Sequence, residues 1–302
     1  MSIGIKSMST LSTAYLNALD YAKERVQGAD MTQMTNKQAP RVAILRHPDV
    51  RRMLMMQKAH AEGMRALIFR SARIQDELAV TEDAEAKQKL ELLNDLFLPL
   101  VKGYCSEKTY ELLSLSLQTY GGSGYCQDYP IEQYIRDQKI DTLYEGTTHI
   151  QSLDLVFRKI ARDQGKTLRA ATSEIVALLE SNKGGTSFDE ERKLLALGLG
   201  TVEKMLGTAL GFMAKSIYLV GLNSNRILES LAEVFIGYLL LDQAILAESK
   251  LAEASEADAA FYRGKVASAR FFLRTVLPEL PSRLKILEAT NLDLMELDDA
   301  SF

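Results

Sequence analysis

Apolar residues recur along most of the chain at spacings of three and four positions, the period of an amphipathic helix. Near the start they fall at Ile3, Met8 and Leu11, and this pattern predicts a first helix that ends near Gly28. Alternating patterns typical of strands are hard to find, and residues 131–277 contain no proline. The pattern therefore predicts an all-α fold.

The same periodicity predicts further helices separated by short breaks. An irregular loop is expected over residues 29–47, after which Pro48 suits the first position of a second long helix. The predicted helices span residues 48–78, 81–120 with a bend or interruption at Pro99, 131–142, 148–182, 189–215, 225–253 and 256–276.

A linker with the sequence NKGGTS occupies residues 182–187. It is the clearest break between two helical parts of the chain. We therefore predict two helical domains, residues 1–182 and residues 188–302, each built as a bundle.

Composition narrows the function classes. The 302 residues are 47% hydrophobic and 25% charged, with a formal net charge of −4 and dispersed Lys and Arg, so neither a nucleic-acid partner nor an anionic-membrane partner is expected. The two cysteines, Cys105 and Cys126, are too few for a disulfide framework or a zinc site and fit a reducing, cytoplasmic location. The N-terminus lacks a basic region typical of signal peptides, and no membrane span is expected.

Gly121-Gly122-Ser123-Gly124 is the first candidate for chemistry. Consecutive glycines free backbone N–H groups to approach an anion such as a phosphate. The run follows no predicted strand, however, and lacks the Lys-Ser/Thr of a phosphate-binding loop. A helix C-cap is the interpretation that these residues alone favour.

The second candidate is Glu145, within IRDQKIDTLYEGTTHIQ at residues 135–151. It could be a turn acid beside a helix whose cap is Thr147 or Thr148. Placed in an apolar cleft, it would instead have a raised pKa and could act as a base. The charged residues at positions 136, 137 and 141 favour a solvent-exposed helix face with a weak ion pair. No metal-ligand set and no Ser or Cys nucleophile motif accompanies them.

Residues 116–151 resemble the C-terminal helical domain of flavin-dependent acyl-CoA dehydrogenases. The family pattern is Q-x-x-G-G-x-G-Y, then Pro, then R-D-x-K-I, then Y-E-G-T, and all its elements occur here in order. YAKERVQG at 21–28 resembles the family's Arg-x-Gln flavin-contacting segment. Residues 39–67, and those from about 190 onward, are similar to larger bacterial members with an extra C-terminal helical domain. The resemblance implies a four-helix bundle followed by a second helical bundle.

The resemblance also implies roles for individual residues. Glu145 would be the base that removes the α-proton of an acyl-CoA thioester while a hydride leaves the β-carbon for FAD. Part of the FAD would be seated in a neighbouring subunit, which implies a dimer or a tetramer. The residues expected to contact FAD are Arg25, Gln27, Thr147 and, around its ADP portion, Gln118, Gly121 and Gly122. Electron-transfer flavoprotein is the family's usual electron acceptor.

Three departures from the family pattern matter. Gln27 runs directly into Gly28, without the aromatic residue that usually separates them, and His149 stands where a smaller or amide side chain is frequent. Some members carry their base on the first helix of this domain, at a position that would fall at or before residue 1. The family's N-terminal helical domain and middle β-domain have no counterpart in these residues.

Two hypotheses follow from that missing part. The chain is either part of an acyl-CoA dehydrogenase, completed by an N-terminal and β-domain polypeptide or companion subunit, or a non-catalytic helical oligomerisation or binding module that retains the motifs.

Overall fold

The computed structural model describes all residues from 1 to 302 and confirms the predicted all-α class. Helices form most of the molecule. The helices are α1 Ser2–Glu24, α2 Pro48–Val80, α3 Ala84–Pro99, α4 Cys105–Tyr120, α5 Ile131–Lys139, α6 Thr148–Leu153, α7 Lys166–Glu180, α8 Asp189–Met213, α9 Ile217–Gly221, α10 Ser224–Lys250, α11 Glu256–Thr275, α12 Leu280–Glu288 and α13 Asp293–Glu296.

The segment after α1 differs from the irregular loop predicted there. Strand β1, Val26–Ala29, pairs antiparallel with β2, Arg41–Ala43. The first helix accordingly ends at Glu24, because Arg25 is already extended with φ −68° and ψ 120°. Strands of three and four residues are too short to show an alternating pattern, which is why the sequence did not reveal them.

Pro99 does not interrupt its helix. The chain passes from α3 through a π-helical segment, Leu100–Tyr104, directly into α4. The predicted helix over 148–182 does break, but only after a second π segment, Asp154–Ala161, where Gln164 and Gly165 adopt positive φ values of 58° and 73°.

The largest apolar cluster draws residues from both sides of the 182–187 linker. Helix α10 packs against α2, α8 and α11, and its Phe235 ring lies 4.9 Å from the ring of Phe97 on α3. A smaller cluster lies beneath the C-terminal end of α1 and includes Tyr120 and Ile131. The division at residues 182 and 188 stays a prediction.

Two helical stretches are long and apolar enough to cross a membrane by length and composition, contrary to the sequence-based expectation that no run is. They are Gly185–Met213 and Ser224–Glu253. In the second, 72% of the apolar window is buried inside the protein. A buried core helix meets the same criterion, so the finding is weak support for a membrane span.

Candidate functional site

The turn that carries Glu145 has an unusual backbone. Glu145 adopts φ +56° and Gly146 φ +85°, so two consecutive residues are left-handed. Only one other non-glycine residue in the chain, Gln164, has a positive φ. Such a conformation costs free energy for a residue with a Cβ and persists where surrounding contacts fix it. The Glu145 side chain is exposed.

Side chains fix the carbonyl groups of this turn. Gln151 Nε2 donates to the carbonyl oxygen of Glu145 at 3.0 Å, and Lys102 Nζ donates to that of Gly146. Thr147 Oγ1 accepts from the N–H of Ile150 at 3.3 Å and is the N-cap of α6. The N–H groups of Glu145 and Gly146, in contrast, donate to no acceptor within the chain. They are available to an oxygen atom outside it.

Asp141 lies one turn before Glu145 and is buried, so the prediction of a solvated face is wrong for this residue. Its carboxylate accepts from Lys6 Nζ at 2.8 Å, Ser7 Oγ at 3.2 Å and Tyr144 Oη at 2.8 Å. The hydrogen bond with Asp141 raises the pKa of Lys6 and that of the Tyr144 phenol. This network fastens the segment before the turn to the N-terminal half of α1.

Lys102 is a functional candidate that sequence reasoning missed. It lies in the π segment between α3 and α4 and is 6% exposed. Burial lowers the pKa of its ammonium group, and the carboxylates of Asp141, Glu107 and Glu145 oppose that shift. A signal was present, because Lys102 is the sole charged residue in the apolar stretch FLPLVKGYC.

The glycine run at 121–124 does end a helix, as the cap interpretation requires. Gly121 adopts φ +61°, and its N–H donates to the carbonyl oxygen of Gln118. Gly124 is packed tightly, since an added Cβ would lie 2.7 Å from the Leu117 carbonyl oxygen. Gly122 differs, because its φ is not positive and an added Cβ would meet nothing within 4 Å. The fold does not account for a glycine at that position.

A cluster of tyrosines brings the end of α1 against the glycine run. The rings of Tyr21 and Tyr120 lie 4.4 Å apart, and Tyr21 Oη donates to Ser123 Oγ at 3.4 Å. Arg25, just beyond α1, and Gln118, near the end of α4, therefore both lie where the C-terminal ends of these two helices meet. Both side chains are exposed and make no hydrogen bond or ion pair within the chain.

Gln27 is also exposed, on β1, and its side chain accepts from the N–H of Gly28 at 3.1 Å. The ring of His47 lies against Gly28, where an added Cβ would be 3.7 Å from the imidazole. His47 Nε2 lies 2.6 Å from the Gln27 carbonyl oxygen, a contact that requires the proton on Nε2. An imidazole thus lies next to the position where the usual aromatic residue is missing.

The predicted site residues form two groups at opposite ends of α1. The first group, at the C-terminal end, contains Arg25, Gln27, Gln118, Gly121 and Gly122; the second, at the N-terminal end, contains Glu145 and Thr147. Ser7 contacts the second group through Asp141, and Tyr21 contacts the first. Along the axis of α1, Ser7 and Tyr21 are separated by about 21 Å, because an α-helix rises about 1.5 Å per residue. The structure therefore does not bring all the predicted residues together.

Two family sequence models match the chain. Residues 1–160 match the acyl-CoA dehydrogenase C-terminal domain, and residues 166–298 match a domain described as acetyl-CoA dehydrogenase C-terminal like. Together they account for nearly all of the chain.

Curated relatives carry acyl-CoA dehydrogenase names. The chain is 50% identical over its full length to the broad-specificity linear acyl-CoA dehydrogenase FadE5 of Mycobacterium tuberculosis, of which it covers 51%. It is 32% identical over its full length to a butyryl-CoA dehydrogenase of Syntrophomonas wolfei, of which it covers 49%. The chain thus spans about half the length of these relatives.

Solved structures share the fold. An acyl-CoA dehydrogenase from Bacillus anthracis complexed with FAD matches 97% of this chain and 49% of its own, with a TM-score of 0.66 at 18% identity. Caenorhabditis elegans ACDH-11 in complex with C11-CoA matches 91% of this chain and 42% of its own, with a TM-score of 0.66 at 20% identity. Sequence and fold agree, and the chain belongs to the acyl-CoA dehydrogenase family, whose C-terminal domain it contains.

Proposed function

We propose that this chain is the C-terminal part or a subunit of a flavin-dependent acyl-CoA dehydrogenase that converts an acyl-CoA thioester to the 2-enoyl-CoA. The observation that carries the proposal is the Glu145 turn. An exposed carboxylate and two unused backbone N–H groups share a strained turn whose carbonyl groups are held by other side chains. A base and hydrogen-bond donors at one place are what thioester α-deprotonation needs.

Glu145 would act as the base in this reaction. The α C–H bond breaks, its proton passes to the Glu145 carboxylate, and its electron pair forms the new α,β double bond as a hydride leaves the β-carbon. Negative charge grows on the thioester oxygen during proton removal. The free N–H of Glu145 would donate a hydrogen bond to that oxygen and so stabilise the charge where it develops.

FAD, when bound, would accept the hydride from the β-carbon. The group of residues near the C-terminal end of α1 fits FAD, because Gly122 leaves open space for the ADP portion and Arg25 offers the cofactor an unpaired guanidinium. Arg is well suited to a pyrophosphate, since its planar fork donates two parallel hydrogen bonds. Thr147 would contact FAD near the base.

The separation of the two groups of residues supports a cofactor shared between copies of the chain. Glu145 and Thr147 would serve one FAD, and the group around Gly122 would serve the FAD of a neighbouring subunit. We therefore expect a dimer or a tetramer built from dimers. Electron-transfer flavoprotein is the proposed acceptor of the electrons.

Apolar side chains around Glu145 support a site completed by further polypeptide. Ile140, Leu143, Tyr144 and Ile150 are exposed by 47%, 49%, 41% and 54%. Contiguous exposed apolar surface commonly marks a binding site or a contact with another domain. The family's N-terminal and β-domains, on the same or a companion polypeptide, would cover this surface and hold most of the acyl-CoA. Without them, we expect weak FAD binding and no turnover.

The reductive half-reaction tests the proposal. The flavin-loaded enzyme that contains this chain is mixed anaerobically with acyl-CoA thioesters of different chain lengths, and flavin absorbance is followed. Bleaching of the flavin together with formation of the 2-enoyl-CoA is the expected result. An assembly that binds no flavin, or that binds flavin without reducing it with any acyl-CoA, would favour the non-catalytic binding module instead.

A further inference from the structure

Lys102 is the one Lys or Arg among the buried residues of the chain, with 6% of its surface exposed. Its ammonium group has three N–H donors. Its sole hydrogen bond within the protein goes to the carbonyl oxygen of Gly146, and no carboxylate lies close enough to form an ion pair with it. A buried cation with one neutral acceptor costs free energy, because it has lost most of its water without gaining a direct ion pair. Stability therefore does not explain the residue.

The π segment sets where Lys102 points. Next to it, Gly103 is packed against α6 and α10, since an added Cβ would lie 3.0 Å from Leu228 Cδ1 and 3.4 Å from Gln151 Cβ. This close approach brings the backbone of residues 100–104 onto α6. Lys102 and Gln151 consequently reach the same turn from neighbouring elements. Isolated π turns within helices are frequent at functional sites.

The two donors act on consecutive peptide groups. Gln151 Nε2 holds the carbonyl of Glu145, and Lys102 Nζ holds the carbonyl of Gly146. A trans peptide group is planar, so a fixed carbonyl also fixes the N–H on the opposite side of that group. The two donors thereby fix the peptide groups on both sides of Gly146, which has a φ of +85° and directly follows the base, and neither donor touches the Glu145 carboxylate.

We propose that Lys102 is a positioning residue for Glu145, one that holds the turn in its left-handed conformation and so aims the carboxylate of the base. The proposal rests on the proposed role of Glu145. The buried ammonium is retained for the geometry of the turn at a cost in stability, as is common for groups at active sites.

The position of the turn can be measured without any cofactor. Labelling the chain with carbonyl-¹³C glycine and ¹⁵N threonine yields correlated signals from the Gly-Thr pairs alone, which begin at Gly146, Gly185, Gly200 and Gly207. In Lys102→Met the carbonyl signal of Gly146 should shift while the other three stay in place. Lys102→Arg should return it toward the wild-type position. A Gly146 signal that does not move in Lys102→Met would overturn the proposal.

Lys159→Met is the matched control. Lys159 also lies in a π segment and is largely buried, but its ammonium donates to Asp95 at 2.8 Å and does not reach the turn. The Lys159→Met substitution should leave all four Gly-Thr signals unchanged. The thermal midpoint of Lys102→Met should equal or exceed that of the wild type. A midpoint lowered by several degrees would show that Lys102 has a structural role instead.

Rates of flavin reduction distinguish a failure of the role proposed for Lys102 from a failure of the proposed function. In the flavin-loaded enzyme, Lys102→Met should lower the rate of flavin reduction by about 10- to 100-fold, because a displaced base loses alignment, with little change in KM. Lys102→Arg should recover most of that rate. Full activity of Lys102→Met beside an inactive Glu145→Gln would overturn the role of Lys102 alone. Normal reduction by Glu145→Gln would overturn the role of Glu145, and with it any role of Lys102 in aiming a base.

Discussion

Arg283 and Glu233 form a buried, two-pronged ion pair that joins α12 to α10. The guanidinium donates to both carboxylate oxygens, at 2.7 and 3.2 Å, and the Glu233 side chain is 1% exposed. Burial raises the pKa of the Glu233 carboxyl, and the charges of Arg283 and Lys108 oppose that shift.

Removal of one partner of this pair should be strongly destabilising. Arg283→Met leaves a buried carboxylate without its countercharge, and we expect the free energy of unfolding to fall by about 3–5 kcal/mol. The double variant Glu233→Met with Arg283→Met should regain most of that loss, because no charge is then left unpaired. Urea denaturation of the single and double variants measures both values. Equal destabilisation by the single and double changes would contradict the account.

His60 should make the protein sensitive to acid. Burial, and secondarily the charge of Lys108, lowers the pKa of its imidazole to about 3. Because the unfolded chain binds this proton near pH 6.5, stability is fully present above that pH and is lost as the pH falls toward 3. Protonation of His60 should therefore lower the free energy of unfolding by about 2 kcal/mol at pH 5 relative to pH 7.5.

Chemical denaturation across this pH range tests the role of His60. Other titrating groups contribute equally to the wild type and to His60→Gln, so the difference between the two isolates the imidazole. Between pH 7.5 and pH 5, the free energy of unfolding of His60→Gln should fall by about 2 kcal/mol less than that of the wild type. Parallel pH curves for the two proteins would show that His60 is not responsible.

Asp141 and Asp137 offer a matched pair of carboxylates on adjacent turns. Asp141 is buried and accepts three hydrogen bonds, whereas Asp137 is exposed and accepts one weak bond from Gln133 at 3.4 Å. Asp141→Asn should destabilise the protein by about 2–4 kcal/mol, because it removes a buried charge from a network of donors. Asp137→Asn should change stability by less than about 0.5 kcal/mol. Thermal unfolding of the two variants distinguishes them, and similar midpoints would refute the assignment.

Gly122 and Gly124 should respond oppositely to alanine. At Gly122 a Cβ meets nothing in the chain, so folding should be preserved while affinity for FAD falls by about 10-fold as the added methyl group meets the cofactor. At Gly124 the Cβ would clash with the Leu117 carbonyl oxygen and with Tyr120, so stability itself should fall. Flavin titration and thermal unfolding of both variants are the measurements. Unchanged affinity in Gly122→Ala would remove this residue from the proposed FAD site.

The sequence predicted the long helices well because their apolar faces repeat over many turns. Helix α2, expected over 48–78, ends two residues later at Val80. The hairpin of β1 and β2 was not predictable, since a few residues carry no usable period. The π segment after Pro99 was also missed, because a one-residue change in hydrogen-bond spacing leaves no mark in composition.

The candidate site was predictable only in part. The composition of the Glu145 turn and its family resemblance singled out the acid, but neither indicated that the turn is left-handed at Glu145. Asp141 belongs to a run of charged residues that looks solvated, and its burial depends on Lys6 and Ser7, more than 130 positions away in sequence. Lys102 resembles an isolated lysine whose head group reaches water, and its contact with Gly146 emerges from tertiary packing.

Flavin reduction by Glu145→Gln in the flavin-loaded enzyme tests the central claim most directly. The substitution removes the charge at nearly constant shape, so FAD binding should be preserved while the base is lost. Asp137→Asn, which alters a nearby exposed carboxylate, serves as the control and should reduce flavin normally. We predict that acyl-CoA leaves the flavin of Glu145→Gln oxidised on the timescale on which the wild type is fully bleached. Flavin reduction by Glu145→Gln at the wild-type rate would contradict the assignment of Glu145 as the base.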